Sequence, residues 1–389
     1  MPLPLLTAAA FLSAAGARSV DPLLVILARD FQTSVSAASV VIASFTTAYG
    51  CSQLLYGPAG DRFGRLRLLL GALIGYAVLM AACASAGSLS ALILLRAGAG
   101  AACGGLLPVC LAYLGDWVPY GERQVVISRV LTGFLVGQTL AGAIGGVFGQ
   151  YLGWRAVFLI LAGGGAVVSL WLTFRLRGFP DRRSTTFILR LENYSELVRD
   201  RIARRLLVAT LIEGALLAGG FPFVAPFLHD GFGLSYAAAG LILACFGIGA
   251  FVAARSTGWS VPRLGEPGLA LVGGVVVIIG FVFAAVSPVW PLLIVTEAFL
   301  GFGYLTLHTV LQTRATELSS ERRGTAVSCF VLMLFLGQSL GALIMSGLIA
   351  WLGYRDAFAL DAIAVVPLVL WLRAFLRASR PEPADPLRA

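Results

Sequence analysis

No lysine occurs anywhere in this chain, histidine occurs only twice, and charged residues fill just 12% of the 389 positions. Each shortage excludes something. Without lysine there is no glycine-rich phosphate loop ending in that residue, which disfavours an ATP-driven pump. The two histidines and the six cysteines (Cys51, Cys83, Cys103, Cys110, Cys245 and Cys329) show no ligand spacing. The cysteines lie in apolar stretches and read as buried small hydrophobes, not as a disulfide or metal set. No nucleophile triad is evident either, so a membrane enzyme would lack its reactive centre, and no cofactor is expected. A soluble domain carries about 25% charge, and this chain falls far short of it.

What is present is hydrophobic: 59% of residues, with a mean hydropathy of +0.91. Forty-six glycines accompany them, in keeping with helices that approach closely inside lipid. A crossing needs roughly 20 apolar residues, and twelve such runs can be placed, at 5–28, 37–57, 68–87, 90–113, 127–149, 155–174, 206–228, 236–254, 268–287, 290–312, 325–349 and 356–376. The expected fold is an all-α membrane protein. Met1 to Leu12 lacks a basic start and a cleavage site, and reads as the beginning of a retained first span. One long polar segment divides the runs, giving an N-terminal six-helix bundle at 1–174, a linker at 175–205 and a C-terminal bundle at 206–389. Within the linker, Phe187, Ile188, Leu191, Leu197 and Val198 alternate with charged residues. That pattern suits either a plain tether or a short amphipathic helix on the membrane surface.

The net charge of +9 is carried by arginine alone. Nucleic acid would require a clustered basic face, whereas these arginines sit in alternate connections. Arg62, Arg65, Arg67, Arg123, Arg129, the nine from Arg175 to Arg205, Arg255, Arg263, Arg314, Arg322, Arg323 and the tail arginines fall on one side. Arg29, Arg155 and Arg355 fall on the other. By the positive-inside rule the arginine-rich side is cytoplasmic, with both termini and the linker on it.

The chain overlays on itself at an offset of 200 residues. Gly137-Gln138-Thr139-Leu140 falls on Gly337-Gln338-Ser339-Leu340, and Leu152-Gly153-Trp154-Arg155 with Phe158 falls on Leu352-Gly353-Tyr354-Arg355 with Phe358. Pro22 falls on Pro222, Asp30 on Asp230, and Arg123 on Arg323. An offset of six crossings gives two parallel halves, the architecture in which one half rocks against the other about a central site.

Between the second and third runs lies Gly57-Pro58-Ala59-Gly60-Asp61-Arg62-Phe63-Gly64-Arg65-Leu66-Arg67. Its Gly57, Asp61, Arg62, Gly64, Arg65 and Arg67 resemble the signature connection of the major facilitator superfamily. The resemblance covers essentially the whole chain and implies twelve helices in two pseudo-symmetric bundles. It also implies a gating latch in which Asp61 pairs near a helix end of the other half. The corresponding stretch Arg255 to Arg263 has lost the acid-then-base order. Leu95-Arg96-Ala97-Gly98-Ala99-Gly100 resembles the family pattern of an intramembrane arginine before glycines, which in proton-coupled relatives assists proton translocation. Gly133, Gly137, Gly142, Gly145 and Gly146 resemble the glycine-rich stretch of bacterial drug:proton antiporters, with Gln138 standing where that pattern has proline.

Ionisable residues inside a membrane mark function. Arg18 and Asp21 share one face of the first run, at a depth close to that of Arg96, which is expected to have a carboxylate partner. Glu213 and Glu297 come from the second half, and Glu297, Tyr304 and His308 share a stripe of one helix. An acid flanked by arginines suits charge recognition or a salt-bridge switch, and an isolated one suits proton carriage. On that basis Asp21 takes the first role and Glu213 and Glu297 the second. Asp361, near a helix end, is expected to be exposed and structural, and His308 to make a local hydrogen bond. Phe45, Tyr49, Gln53, Gln138, Phe221, Phe223, Tyr304 and Gln338 are candidate cavity residues for a lipophilic or amphipathic solute. Pro22, Pro222 and Pro226 are positioned to bend the first and seventh runs.

The resemblance implies a monomeric, proton-gradient-driven exporter of drug-like molecules in a bacterial inner membrane, whose partners are substrate, protons and lipids. A carrier of a small metabolite such as a sugar or organic anion remains open, as does a non-transporting receptor or scaffold.

Overall fold

The computed structural model describes residues 2–175, 195–197, 199–318 and 323–378. Among the described residues there is no β-strand. Eleven helices are long and apolar enough to cross a membrane. We number the crossings as spans 1 (Leu3–Asp30), 2 (Val35–Phe63), 3 (Arg65–Ala84), 4 (Leu89–Trp117), 5 (Tyr120–Leu152), 6 (Trp154–Arg175) and 7 (Arg201–Phe232). The helix Tyr236–Val286 follows, then spans 10 (Pro291–Glu317), 11 (Arg323–Leu352) and 12 (Tyr354–Ala378).

Tyr236–Val286 is 51 residues long, about 77 Å at 1.5 Å per residue, more than twice a hydrocarbon core of about 30 Å. Gly265 resolves the excess. Its φ of 60° and ψ of 175° interrupt the helix, a conformation that a residue without a Cβ adopts readily. The two parts are spans 8 and 9, and the crossings number twelve among the described residues.

The polar stretch after span 2 is shorter than its sequence suggests. Residues 57–63 continue the helix despite Pro58, and only Gly64, at φ 88°, turns the chain into span 3. The proposed surface helix of the linker lies almost entirely outside the described residues. Of the six cysteines, all free, Cys83, Cys103, Cys110 and Cys329 are buried, whereas Cys51 is exposed.

The repeat is written into the contacts. At the arginine-poor end of the first half, Trp154 Nε1 donates to Asp30 Oδ2 at 2.8 Å, Arg155 pairs with the same oxygen at 3.0 Å, and Arg155 reaches the Ala86 carbonyl at 3.4 Å. In the second half Tyr354 donates to Asp230 at 2.7 Å and Arg355 reaches the Ala285 carbonyl at 3.4 Å. In both cases the last turn of a half's first crossing is fastened to the first turn of its sixth. Trp154→Phe removes one hydrogen bond to a partly exposed carboxylate and should lower stability by about 0.5–1.5 kcal/mol. A thermal unfolding scan of the purified protein in detergent checks it, with Tyr354→Phe expected to act alike.

Spans 1 and 7 are both broken, as the prolines suggested. Span 1 passes through a 3-10 turn at Asp21–Leu23, and span 7 through a π turn at Gly214–Ala218 and a 3-10 turn at Phe221–Phe223. The halves meet along a seam at the arginine-poor end. Ser36 bonds Ser346 at 3.1 Å, Thr47 bonds Ser339 at 2.7 Å, and Ser339 bonds the Ala43 carbonyl at 3.1 Å, joining spans 2 and 11. Spans 5 and 8 join where the Ala237 amide donates to Gln150 at 2.9 Å. They also press Gly142 and Gly146 against Gly240, closely enough that a Cβ on Gly240 would stand 2.2 Å from the Gly142 carbonyl oxygen.

Candidate transport site

Behind the seam the structure buries four charged side chains, Arg96, Asp21, Glu213 and Glu297, all without measurable exposure. Span 1 supplies the first pair: one helical turn places Arg18 Nη1 3.6 Å from Asp21 Oδ2. That separation is electrostatic contact without a hydrogen bond, and neither Asp21 oxygen has a hydrogen-bond partner among the described residues. The Arg18 guanidinium lies over the Phe221 ring, 4.7 Å from its centre. A cation of the first half is thereby seated on an aromatic of the second.

Glu297 of span 10 is within electrostatic reach of both Arg18 and Asp21, and both its oxygens lack a hydrogen-bond partner. Behind the seam an arginine and an acid of the first half and an acid of the second thus share one buried, charged neighbourhood. Phe221 packs edge-on against Phe246 with ring centres 4.7 Å apart, and Phe246 meets Tyr304 at 5.9 Å. Tyr304 stacks on His308 at 5.2 Å, and His308 Nδ1 lies 3.1 Å from Glu213 Oε1. Of the expected stripe, Tyr304 and His308 are joined in a line of contacts running to Glu213, and among the described residues no contact ties Glu297 to it. Glu213 is thus paired with an imidazole, not isolated, and the hydrogen bond expected of His308 is made to that acid.

Arg96 corrects a second expectation. It faces the interior as anticipated, yet among the described residues no carboxylate pairs with it directly. Its Nη1 donates to the Gly16 carbonyl at 3.1 Å and meets Met80 Sδ at 4.0 Å, and its guanidinium rests 3.9 Å from the Phe45 ring centre. Asp21 still feels its charge. A carbonyl dipole and a ring quadrupole do part of what a counter-ion would do, while Nε and Nη2 remain without partners.

Among the cavity candidates, Tyr49 bonds Ser13 at 3.1 Å and packs 4.2 Å from the ring of Phe335 across the seam. Phe45, Phe221 and Tyr304 belong to the charged cluster. Gln53, Phe223 and Gln338 are buried, and Gln138 is partly so, but no described contact ties these four to the cluster. Phe246 and Phe335 were not singled out from sequence; their signal was an aromatic facing glycines in an otherwise apolar run. Asp361 is another correction. It is buried, with span 7 packed against it at Gly220.

At the arginine-rich end, Arg65 is the hub of the signature connection. It pairs with Asp61 at 3.1 Å and, from its Nε, with Asp116 of span 4. The described ion partner of Asp61 is in its own half. Arg62 lies over Phe63 at 5.2 Å, and Arg67 also makes an interaction. Gly57 has open space around it.

No group of three or more His, Cys, Asp or Glu among the described residues is placed to hold a metal ion. The buried groups have the chemistry to bind and release protons, to attract or repel a charged solute, and to exchange ion partners.

Comparison with known proteins accords with this arrangement. The family model of the Major Facilitator Superfamily matches residues 6–286 and 206–389. The MFS-type transporter YybF of Bacillus subtilis is 24% identical over 366 residues, spanning 92% of this chain and 89% of its own. A chloramphenicol resistance protein of Streptomyces lividans is 28% identical over 354 residues, 88% of each chain. The solved structure of the nucleoside transporter NupG, at 16% identity, superposes with a TM-score of 0.78 over 97% of this chain and 100% of its own. That last likeness is one of fold. The chain belongs to the Major Facilitator Superfamily and is a multi-pass membrane secondary transporter, not an enzyme.

Proposed function

We propose that this carrier works by proton-coupled alternating access and exports lipophilic or amphipathic small molecules across a bacterial inner membrane, with both termini cytoplasmic. Residues 1–174 and 206–389 are the two moving halves, 175–205 their linker, and the monomer is the working unit. The observation that carries the reading is Glu297: fully buried, without a hydrogen-bond partner, and within reach of a cation and an acid of the other half. Such a carboxyl is costly to keep charged in a dry interior, and alternation of water access gives it a reason to change protonation. The aromatic line from Phe221 to Tyr304, buried here, would give a solute apolar ring contacts once the halves part, and the resemblance to chloramphenicol resistance proteins favours that solute class.

The test is reconstitution into liposomes with an imposed pH gradient, using chloramphenicol as a neutral aromatic probe and benzoate as an anionic one. Uptake of chloramphenicol against its gradient with counter-movement of protons is the expected result. A small organic anion is the second reading, favoured by Arg18, whose head group stands at the seam 3.6 Å from its acid and without a hydrogen bond to it; benzoate uptake alone would select it. Binding of either probe without turnover would turn the assignment toward a receptor.

A further inference from the structure

Both halves break their first crossing at the same place in the repeat, and each break has a buried acid against it. In span 1 the acid belongs to the break: Asp21 opens the 3-10 turn Asp21–Leu23 and has Arg18 beside it. In span 7 the corresponding turn is Phe221–Phe223, with phenylalanine at the position of Asp21. The acid arrives instead from span 12. Asp361 Oδ2 presses on the backbone just before that turn, 2.8 Å from where a Cβ on Gly220 would stand. Asp361 is buried, and Oδ2 has no hydrogen-bond partner. Span 12 packs against spans 7, 9 and 11. Among the described residues, no ion pair and no side-chain hydrogen bond reaches Asp361 from these spans.

We propose that Asp361 is a second proton-binding group of this carrier, and that the break in span 7 relays its protonation to the Arg18, Asp21 and Glu297 cluster. The inference rests on the proton-coupled reading above. A π turn followed by a 3-10 turn leaves backbone carbonyls without their helical donors. A neutral Asp361 can donate its O–H to one of them and hold spans 7 and 12 together. An ionised Asp361 has no counter-charge, and it needs water that enters only when the break loosens. The relay is short. Gly220 is followed by Phe221, whose ring seats the Arg18 guanidinium at 4.7 Å and packs on Phe246 at 4.7 Å. A shift of the turn unseats Arg18 and changes the field at Asp21 and Glu297. One proton is bound from, or released to, the water that the loosened break admits, with only the O–H bond made or broken.

Infrared difference titration in lipid reads the acid directly, since the carbonyl stretch of a neutral carboxyl disappears on ionisation. Wild type and E297Q should both show a titrating band that D361N lacks. Hydrogen exchange of peptides 214–224 and 16–24, corrected for the intrinsic effect of pH, should rise together, by roughly fivefold or more, as Asp361 ionises. In D361N the step that the two peptides share at the pH of the Asp361 band should be absent. A band that persists in D361N, or exchange that follows pH as in the wild type, overturns the assignment. If D361N does not fold, D361E replaces it: a shifted band supports the assignment and an unshifted one overturns it. Neither measurement uses a substrate, so they stand apart from the transport assay. Substrate flux without proton movement would defeat proton coupling while the infrared band still decided whether Asp361 is the acid.

Discussion

In E297Q, accumulation of substrate against its gradient is lost while exchange at equilibrium continues. Glutamine keeps the shape of the side chain and its capacity for neutral hydrogen bonds, but it cannot take up or release a proton. A pH gradient of about 2 units is worth about 2.7 kcal/mol per proton, enough to sustain roughly 100-fold accumulation at one proton per solute. The mutant should fall to a ratio of about 1. Exchange of internal for external labelled solute needs the halves to alternate but needs no net proton transfer, so it should persist. Measuring both in the same liposomes separates a coupling role from a structural one. Equal loss of both would mean that Glu297 maintains the bundle, and undiminished accumulation would remove it from the coupling path.

Gly240→Ala should open the seam. The added Cβ would meet the Gly142 carbonyl oxygen at 2.2 Å and the Gly146 Cα at 2.9 Å. Both neighbours are backbone of span 5, so no side chain can rotate away. Overpacking of this kind costs about 1–3 kcal/mol. Spans 5 and 8 belong to different halves, so under the proposed alternating access the penalty falls on the closed arrangement, in which they touch. Its population relative to the open one should drop by roughly 5- to 150-fold. A cysteine at Gln53, a buried position beyond the seam contacts of span 2, reports the change in an otherwise cysteine-free protein. A membrane-impermeant thiol reagent applied from the arginine-poor side should label it faster in Gly240→Ala, and an unaltered rate would show that this seam is not the gate.

The twelve crossings, the division into repeats and the breaks at Pro22 and Pro222 were legible because they depend on local composition and on one fixed offset. The crossing limits were less so. Span 2 runs on to Phe63 because the polar residues 57–63 keep their helical hydrogen bonds outside an apolar run until Gly64 turns. Pairing was the least legible. That Arg96 would settle on Phe45 and the Gly16 carbonyl, or that Glu213 would find His308 far along the chain, depends on which helix faces meet. Asp361 misled for the same reason: its nearness to a helix end suggested water, and the packing of span 7 against it at Gly220 buries it. The signature connection identified the family, but its ion pairs were not legible: Asp61 pairs with Arg65 inside the connection, and Arg65 reaches Asp116 of span 4.

The glycine at position 249 ties these observations together mechanically. A Cβ there would stand 1.9 Å from the Ala298 carbonyl oxygen, and one on Gly301 1.9 Å from that of Phe246, so spans 8 and 10 lie backbone on backbone beside Glu297. Span 8 also carries Gly240, the residue that closes the seam. Under the proposed alternating access, this backbone contact would couple seam and acid directly: a swing of span 8 away from span 5 would carry span 10, and with it Glu297, along.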